Sequence, residues 1–225
     1  MVIKPGNSLA SYWGLNYLGV WGTNEAAEAA EYGNVPGDSK YQDINSDGVI
    51  GGDDYQIIGN AIPTRLMGWN NTFTYGNFTL NVFFQSMMGY DKWNFTYATA
   101  IMANADAREA THVDILDRWS ESNQGSSIPA FSGSDVGEIQ SSRFVEPGDF
   151  IRLKNISLIY NLPKGLIRGI DGSVMISGNN ILTFTDYRGI DPESFSNRGQ
   201  GEARGADAGS YPNAKMWTLG VNLNF

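Results

Sequence analysis

Trp217-Thr218-Leu219-Gly220-Val221-Asn222-Leu223-Asn224-Phe225 alternates apolar and polar residues without a break. Trp217, Leu219, Val221, Leu223 and Phe225 fall on one side, and Thr218, Gly220, Asn222 and Asn224 on the other. A period of two is the signature of a strand. No segment follows in this chain to cover the five apolar groups. Lipid would cover them. A strand of a membrane barrel needs about 9 to 11 residues of such alternation, with apolar side chains toward the bilayer and polar ones toward the lumen.

Composition agrees with a chain built mainly of strands. Tyr, Phe, Trp and the many Asn, Thr, Ser and Gly residues suit pleated surfaces and their corners better than helices. A net charge of -9 with no basic stripe argues against a nucleic-acid surface, which needs clustered Lys and Arg. With no cysteine there is neither a disulfide framework nor a thiolate metal site. No apolar run approaches the roughly 18 residues of a transmembrane helix, a test that leaves a β-barrel open. A barrel strand exposes only every second residue to lipid, so a mean hydropathy of -0.29 is compatible with one. Met1 to Ala10 hold no charged segment followed by an apolar one, as an export signal would. The chain is therefore read as a C-terminal fragment of a longer protein.

Alternation predicts about six long antiparallel strands, at 8–20, 65–75, 77–88, 150–162, 172–184 and 213–225. Tyr75-Gly76-Asn77 is a tight hairpin turn, and Pro163 to Gly172 is a second compact link. The links at 21–64, 89–149 and 185–212 are long, at roughly 44, 61 and 28 residues, against a usual handful. Long and short links alternate strictly. An up-and-down membrane barrel has short turns on the periplasmic side and long loops outside, so this order places all three long links in the extracellular medium. Six strands cannot close a barrel, and an open edge in lipid would leave backbone donors and acceptors unsatisfied. The remaining strands must come from elsewhere.

One loop carries metal-site spacing. In Asp43-Ile44-Asn45-Ser46-Asp47-Gly48-Val49-Ile50-Gly51-Gly52-Asp53-Asp54, Asp43, Asn45 and Asp47 take positions 1, 3 and 5 of a calcium loop. Gly48 supplies the turn, Val49 a carbonyl, and Asp54 the acid at position 12. Position 12 is Asp rather than a bidentate Glu, and position 9 is Gly51. Binding is thus expected in the weak extracellular range, about 10⁻⁴ to 10⁻³ M. An Asx-turn loop without metal is the alternative. Trp93, Phe95 and Tyr97 alternate and suggest a strand extension above the membrane or a contact platform for a sugar ring or partner, with packing within the loop as the blander reading. His112 is the only histidine, and no Gly-x-Ser-x-Gly elbow accompanies it. No enzyme constellation rises above background.

Several blocks in order resemble the C-terminal part of SusC/RagA-type TonB-dependent transporters. They are Gly37-Asp38-Ser39-Lys40-Tyr41-Gln42-Asp43-Ile44-Asn45-Ser46-Asp47-Gly48, Ile58-Gly59-Asn60 with Pro63, and Asn71 to Leu80. Phe150 to Leu158, Ser177-Gly178-Asn179-Asn180, Tyr187-Arg188-Gly189-Ile190-Asp191-Pro192-Glu193 and Tyr211-Pro212 complete the set. Tyr55 departs from the Arg that commonly follows the acid of the calcium-like loop in that family. The resemblance implies a 22-stranded barrel with an N-terminal plug in the outer membrane of a Bacteroidota-type cell. It also implies a SusD-like surface lipoprotein as lid, energy from the TonB-ExbB-ExbD system, and import of an oligosaccharide or peptide. In such proteins the terminal aromatic strand is also read by the insertion machinery. The competing reading is a secreted or surface β-domain, stabilised by calcium, that binds glycans.

Overall fold

The computed structural model describes residues 2–102, 111–130, 139–165, 171–194 and 205–224. In chain order these form β1 (Ser11–Gly14), β2 (Tyr17–Val20), α1 (Ala26–Glu31), β3 (Ser39–Tyr41), β4 (Gln56–Asn60), β5 (Arg65–Tyr75) and β6 (Phe78–Met88). Then come β7 (Asp91–Asn94), α2 (Phe95–Ile101), β8 (Val145–Pro147), β9 (Phe150–Asn161), β10 (Asp171–Thr185), β11 (Ala206–Asp207) and β12 (Met216–Asn224). Residues 1–62, 91–146 and 195–210 make one compact unit, and 63–90, 147–194 and 211–225 make the other.

The second unit is a single antiparallel sheet in the order β12-β10-β9-β6-β5. Five of the six segments expected from alternation supply it, with ends shifted by at most three residues among those described. Segment 8–20 does not join. It breaks at Leu15 and Asn16 into β1 and β2, which pair with β4 and β3 inside the first unit. The break has local causes. Leu15 N–H donates to the Gln140 carbonyl at 2.8 Å, and Gly19 has a φ of 127°, which a side chain would resist.

Register gives the sheet two unlike faces. Tyr75, Phe78, Tyr160, Val174 and Val221 align across it, and the next row is Phe73, Leu80, Leu158, Ile176 and Leu219. Trp69, Phe84, Leu153 and Leu182 continue the same face. Fifteen large apolar side chains on it stay exposed, from Val174 at 38% to Tyr75 at 87%. Fully burying one such side chain is worth about 1.5–3 kcal/mol, so the face as it stands forgoes more than ~10 kcal/mol, comparable to a whole domain's net stability. Phe78 and Tyr160 pack at the hairpin end with ring centroids 4.7 Å apart, and Trp69 stacks on Phe84 at 5.6 Å.

The alternation in β9 is imperfect for a physical reason. Strict parity would place Arg152 and Lys154 on the same face as Ile156 and Leu158. Between Asn155 and Leu153 the pairing with β6 shifts by one residue, a bulge at Lys154. Parity flips there, so Leu153 and Ile151 rejoin the apolar face while Arg152 turns to the polar one. The pairing of β10 with β9 shifts at the same level, between Asn179 and Leu182, where Asn180 takes a φ of 54° and donates from Nδ2 to the Ala214 carbonyl at 3.1 Å. At the other end of the sheet Gly76, at φ 55°, opens the two-residue hairpin between β5 and β6.

The first unit has a small core of Tyr97, Ala98, Ile101 and Phe144, flanked by Trp93, Met102, Ile128 and Ile139. Its short strands form two-stranded ribbons and a three-stranded sheet in the order β11-β7-β8.

On the apolar face Trp217 lies over Gly178, where an added Cβ would come within 3.0 Å of the indole and 2.9 Å of Ile181. Gly178→Val in the full-length protein is expected to displace Trp217 and cost about 1–3 kcal/mol, seen as a lower thermal unfolding midpoint. Gly220→Ala, whose methyl would meet only Met175 at 3.4 Å, should leave that midpoint near the parent's.

Candidate functional site

The polar face of the sheet is where the chain gathers directional chemistry. Short neutral side chains bond across it: Thr72 donates to Asn81 at 2.7 Å, Asn81 to Ser157 at 3.3 Å, and Asn155 to Asn179 at 2.9 Å. One step along the strands, Gln85, Arg152 and Thr183 align. Arg152 is the hub. Its Nε donates to Thr183 Oγ1 at 3.0 Å, and its two terminal nitrogens reach Asp191 Oδ1 and, at 2.7 Å, Glu193 Oε2. Lys154, delivered by the bulge, holds both oxygens of Glu193 at 3.1 and 2.9 Å.

The segment carrying these carboxylates is a strap. Asp191 also accepts from the backbone N–H groups of Glu193, at 2.9 Å, and Asn213, at 2.7 Å, while Asn213 Nδ2 reaches Glu193 at 3.1 Å. Tyr90 donates to the Pro192 carbonyl at 3.0 Å, and Phe150, Tyr90 and Tyr187 are buried at this end of the sheet. Arg152 and Asp191 are almost sealed, with side chains 3% and 4% exposed. Burial pushes the Asp191 carboxyl up, but the Arg152 guanidinium and the two backbone N–H donors outweigh it and hold it below the usual carboxylate range. Burial, with Asp149, Glu193 and Asp191 nearby, raises the Tyr90 phenol well above its ordinary value, so it stays a donor.

The predicted site residues fall elsewhere. Asp43 accepts from Ser46 N–H at 2.6 Å and Gly48 N–H at 3.0 Å, Asn45 from Asp47 N–H at 3.1 Å, and Asp47 from Val49 N–H at 2.8 Å. Buried Asp54 returns to Ile44 and Gly51, each at 2.8 Å. Burial raises Asp43, and the Gly48 and Ser46 N–H donors more than offset it, so its carboxyl sits below the ordinary range. Among the described residues no three acidic, His or Cys side chains converge as a ligand group, and the loop closes on its own N–H donors. Trp93 belongs to β7, but Phe95 and Tyr97 do not continue the strand. Asn94 accepts from Tyr97 N–H at 2.9 Å, caps α2, and turns Tyr97 into the core at 8% exposure, with Trp93 and Phe95 half-buried. Trp217, Leu219, Val221 and Leu223 form the apolar side of β12, at 64%, 75%, 64% and 42% exposure; Phe225 lies outside the described residues.

Arg152, Lys154, Asp191 and Glu193 entered the sequence reading only within blocks of family resemblance. Two cations spaced i, i+2 in an otherwise apolar strand were the available signal, since such a pair requires a bulge, a counter-charge, or both.

An antiparallel sheet, largely apolar on one face and polar on the other, with a two-residue hairpin at one end, is the wall of a transmembrane β-barrel. Comparison with known proteins agrees. The chain is 35% identical over 230 residues to the TonB-dependent receptor P26 of Formosa agariphila, an overlap of 98% of this chain and 23% of that protein. It is also 35% identical over 236 residues to the receptor P3 of the same organism, covering 100% and 23%. To the TonB-dependent receptor SusC of Bacteroides thetaiotaomicron it is 27% identical over 194 residues, covering 84% and 18%. Structurally it matches the RagAB peptide transporter with a TM-score of 0.73 at 21% identity, over 96% of this chain and 23% of that one. The RagAB peptide importer in its open-open state gives 0.74 over 100% and 24%. No protein-family model matches. The chain belongs to the SusC/RagA-type TonB-dependent receptors, and it spans about a quarter of the length of the curated relatives P26 and P3.

Because Asp191 is lower when folded, its pairing contributes stability that is complete above the ordinary carboxylate pKa, about 3.9, and is lost as pH falls through the depressed folded value. Calorimetry of the full-length receptor should therefore show a midpoint insensitive to this group from pH 7 to 5 and declining below about pH 4. Asp191→Asn should flatten that acid limb. Arg152→Met should cost about 3–5 kcal/mol at neutral pH, because it leaves the Asp191 carboxylate buried without its cation.

Proposed function

We propose that this chain is the closing, C-terminal part of the barrel of an outer-membrane importer. In this reading the complete protein is energised through TonB-ExbB-ExbD and takes up an oligosaccharide or peptide under a SusD-like lipoprotein lid. The observation that carries the reading is the predominantly apolar face running through all five strands, fifteen of whose side chains stay exposed. Lipid removes that cost, and the neutral face opposite then lines the water-filled interior. The long links 21–64, 89–149 and 185–212 lie on the extracellular side, and the Gly76 hairpin on the periplasmic side. The kinship with receptors named for TonB supports energy coupling, and the peptide named for RagAB supports that cargo class as much as SusC supports a Sus-type system. The chain's part is passive: it forms wall and outer surface and performs no chemical step.

Membrane placement separates this reading from the secreted module. The full-length receptor should leave outer membranes only with detergent and should migrate as a compact species on unheated gels, converting on boiling. Release by a salt or carbonate wash overturns it.

Within the same proposal, residues 43–54 hold a structural Ca²⁺ at the base of the first long link. Support comes from the 1, 3, 5, 12 spacing and from Asp54 folding back to Ile44, which brings the two ends of the loop together. Calcium at millimolar concentration should slow proteolysis of residues 38–60 in the parent receptor, and Asp43→Ala or Asp47→Ala should abolish the effect. Calcium-independent digestion of the parent removes the ion from the account.

A further inference from the structure

We infer that Arg152 and Lys154 form a carboxylate-binding site on the polar wall, and that the chain's own Asp191 and Glu193 fill it as an intramolecular ligand. The site has the form of a receptor for an acidic group. A buried guanidinium grips two carboxylates, one on each terminal nitrogen, while a second cation closes over the outer carboxylate. The geometry also has depth. Arg152 and Asp191 sit at the sealed base, whereas Lys154 and Glu193, with side chains 30% and 19% exposed, form an accessible rim. Planar guanidinium is suited to such paired recognition, and lysine acts at the rim as a point charge.

The surroundings explain why an internal ligand is useful. Within the five strands, Arg152 and Lys154 are the only cations on the polar face, whose other side chains are uncharged, Asn, Ser, Thr and Gln with a few apolar ones such as Phe83, Ile159 and Met175, apart from Asp171 at the hairpin end. Among the described residues, two positive groups meet two negative ones, so the strap returns the wall to neutrality. Without it, the wall would offer a fixed anion trap in a low-dielectric groove, where a bound acidic solute would be held rather than passed on. The first unit has the opposite bias: its segments hold 19 of the 24 acidic residues but only 8 of the 15 basic ones. The consequence for cargo rests on the lumenal reading above. A neutral, hydrogen-bonding wall in a chain whose first unit is acid-rich favours uncharged solutes over polyanions.

The site can be tested without knowing the cargo. In the complete receptor, Asp191→Ala with Glu193→Ala empties it, and citrate serves as the probe in calorimetric titration at pH 7.5 and low salt. The double variant is expected to bind citrate at least tenfold more tightly than the parent. Adding Arg152→Gln should cancel the gain. Equal citrate affinity in parent and double variant overturns the inference, as does a gain that survives Arg152→Gln. If the double variant loses the compact unheated gel species, Glu193→Ala alone carries the same test, since it vacates the rim and leaves Asp191 on Arg152. A receptor that washes off membranes yet gains citrate binding would fail the lumenal reading and keep the site.

Discussion

Everything in the second unit depends on cross-strand register. A sheet in lipid must satisfy its backbone between strands and must keep every lipid-facing position apolar, because a slip of one residue exchanges the two faces. Here the register aligns aromatic and aliphatic side chains row by row from β5 to β12. The two bulges at the level of Lys154 and Asn180 let the pattern continue while keeping Arg152 off the apolar side. Stability of the wall is thus a matter of alignment first and of individual contacts second.

The polar face obeys a different rule. Its small amide and hydroxyl side chains bond to one another along rows, and its only cations are answered by a segment of the chain that crosses to meet them. That segment is doubly anchored, since Asn213, just before β12, bonds to both Asp191 and Glu193. The outgoing and returning arms of the last long link are therefore fastened to each other at their base, whatever the residues between them do.

Much of the wall was legible in the sequence. Strands β5, β6 and β12 keep one parity from end to end, so alternation alone located them, and Gly76 marked their hairpin. Segment 8–20 misled because the alternation of Tyr12 to Leu18 is interrupted by backbone bonds to distant residues, Gln140 above all, which no local pattern announces. At Trp93, Phe95 and Tyr97 the alternation stops because Asn94 caps a helix, and helical spacing sends Tyr97 inward, in keeping with packing within the loop. The charge cluster was hidden because its two halves lie roughly forty residues apart and meet only through sheet geometry.

The bulge at Lys154 has a consequence for how such a strand can vary over evolutionary time. Because parity reverses at that one residue, β9 is two half-strands of opposite phase joined by a single spacer. Side chains in either half can be exchanged for others of like character with little effect on the partner strands. The spacer differs from them in what its loss would do. Deleting Lys154 would restore strict alternation, leaving Ile151 and Leu153 on the apolar face and Arg152 on the polar one, and would remove only the cation that closes over Glu193. Related receptors can therefore lose the spacer without exchanging the two faces of the strand.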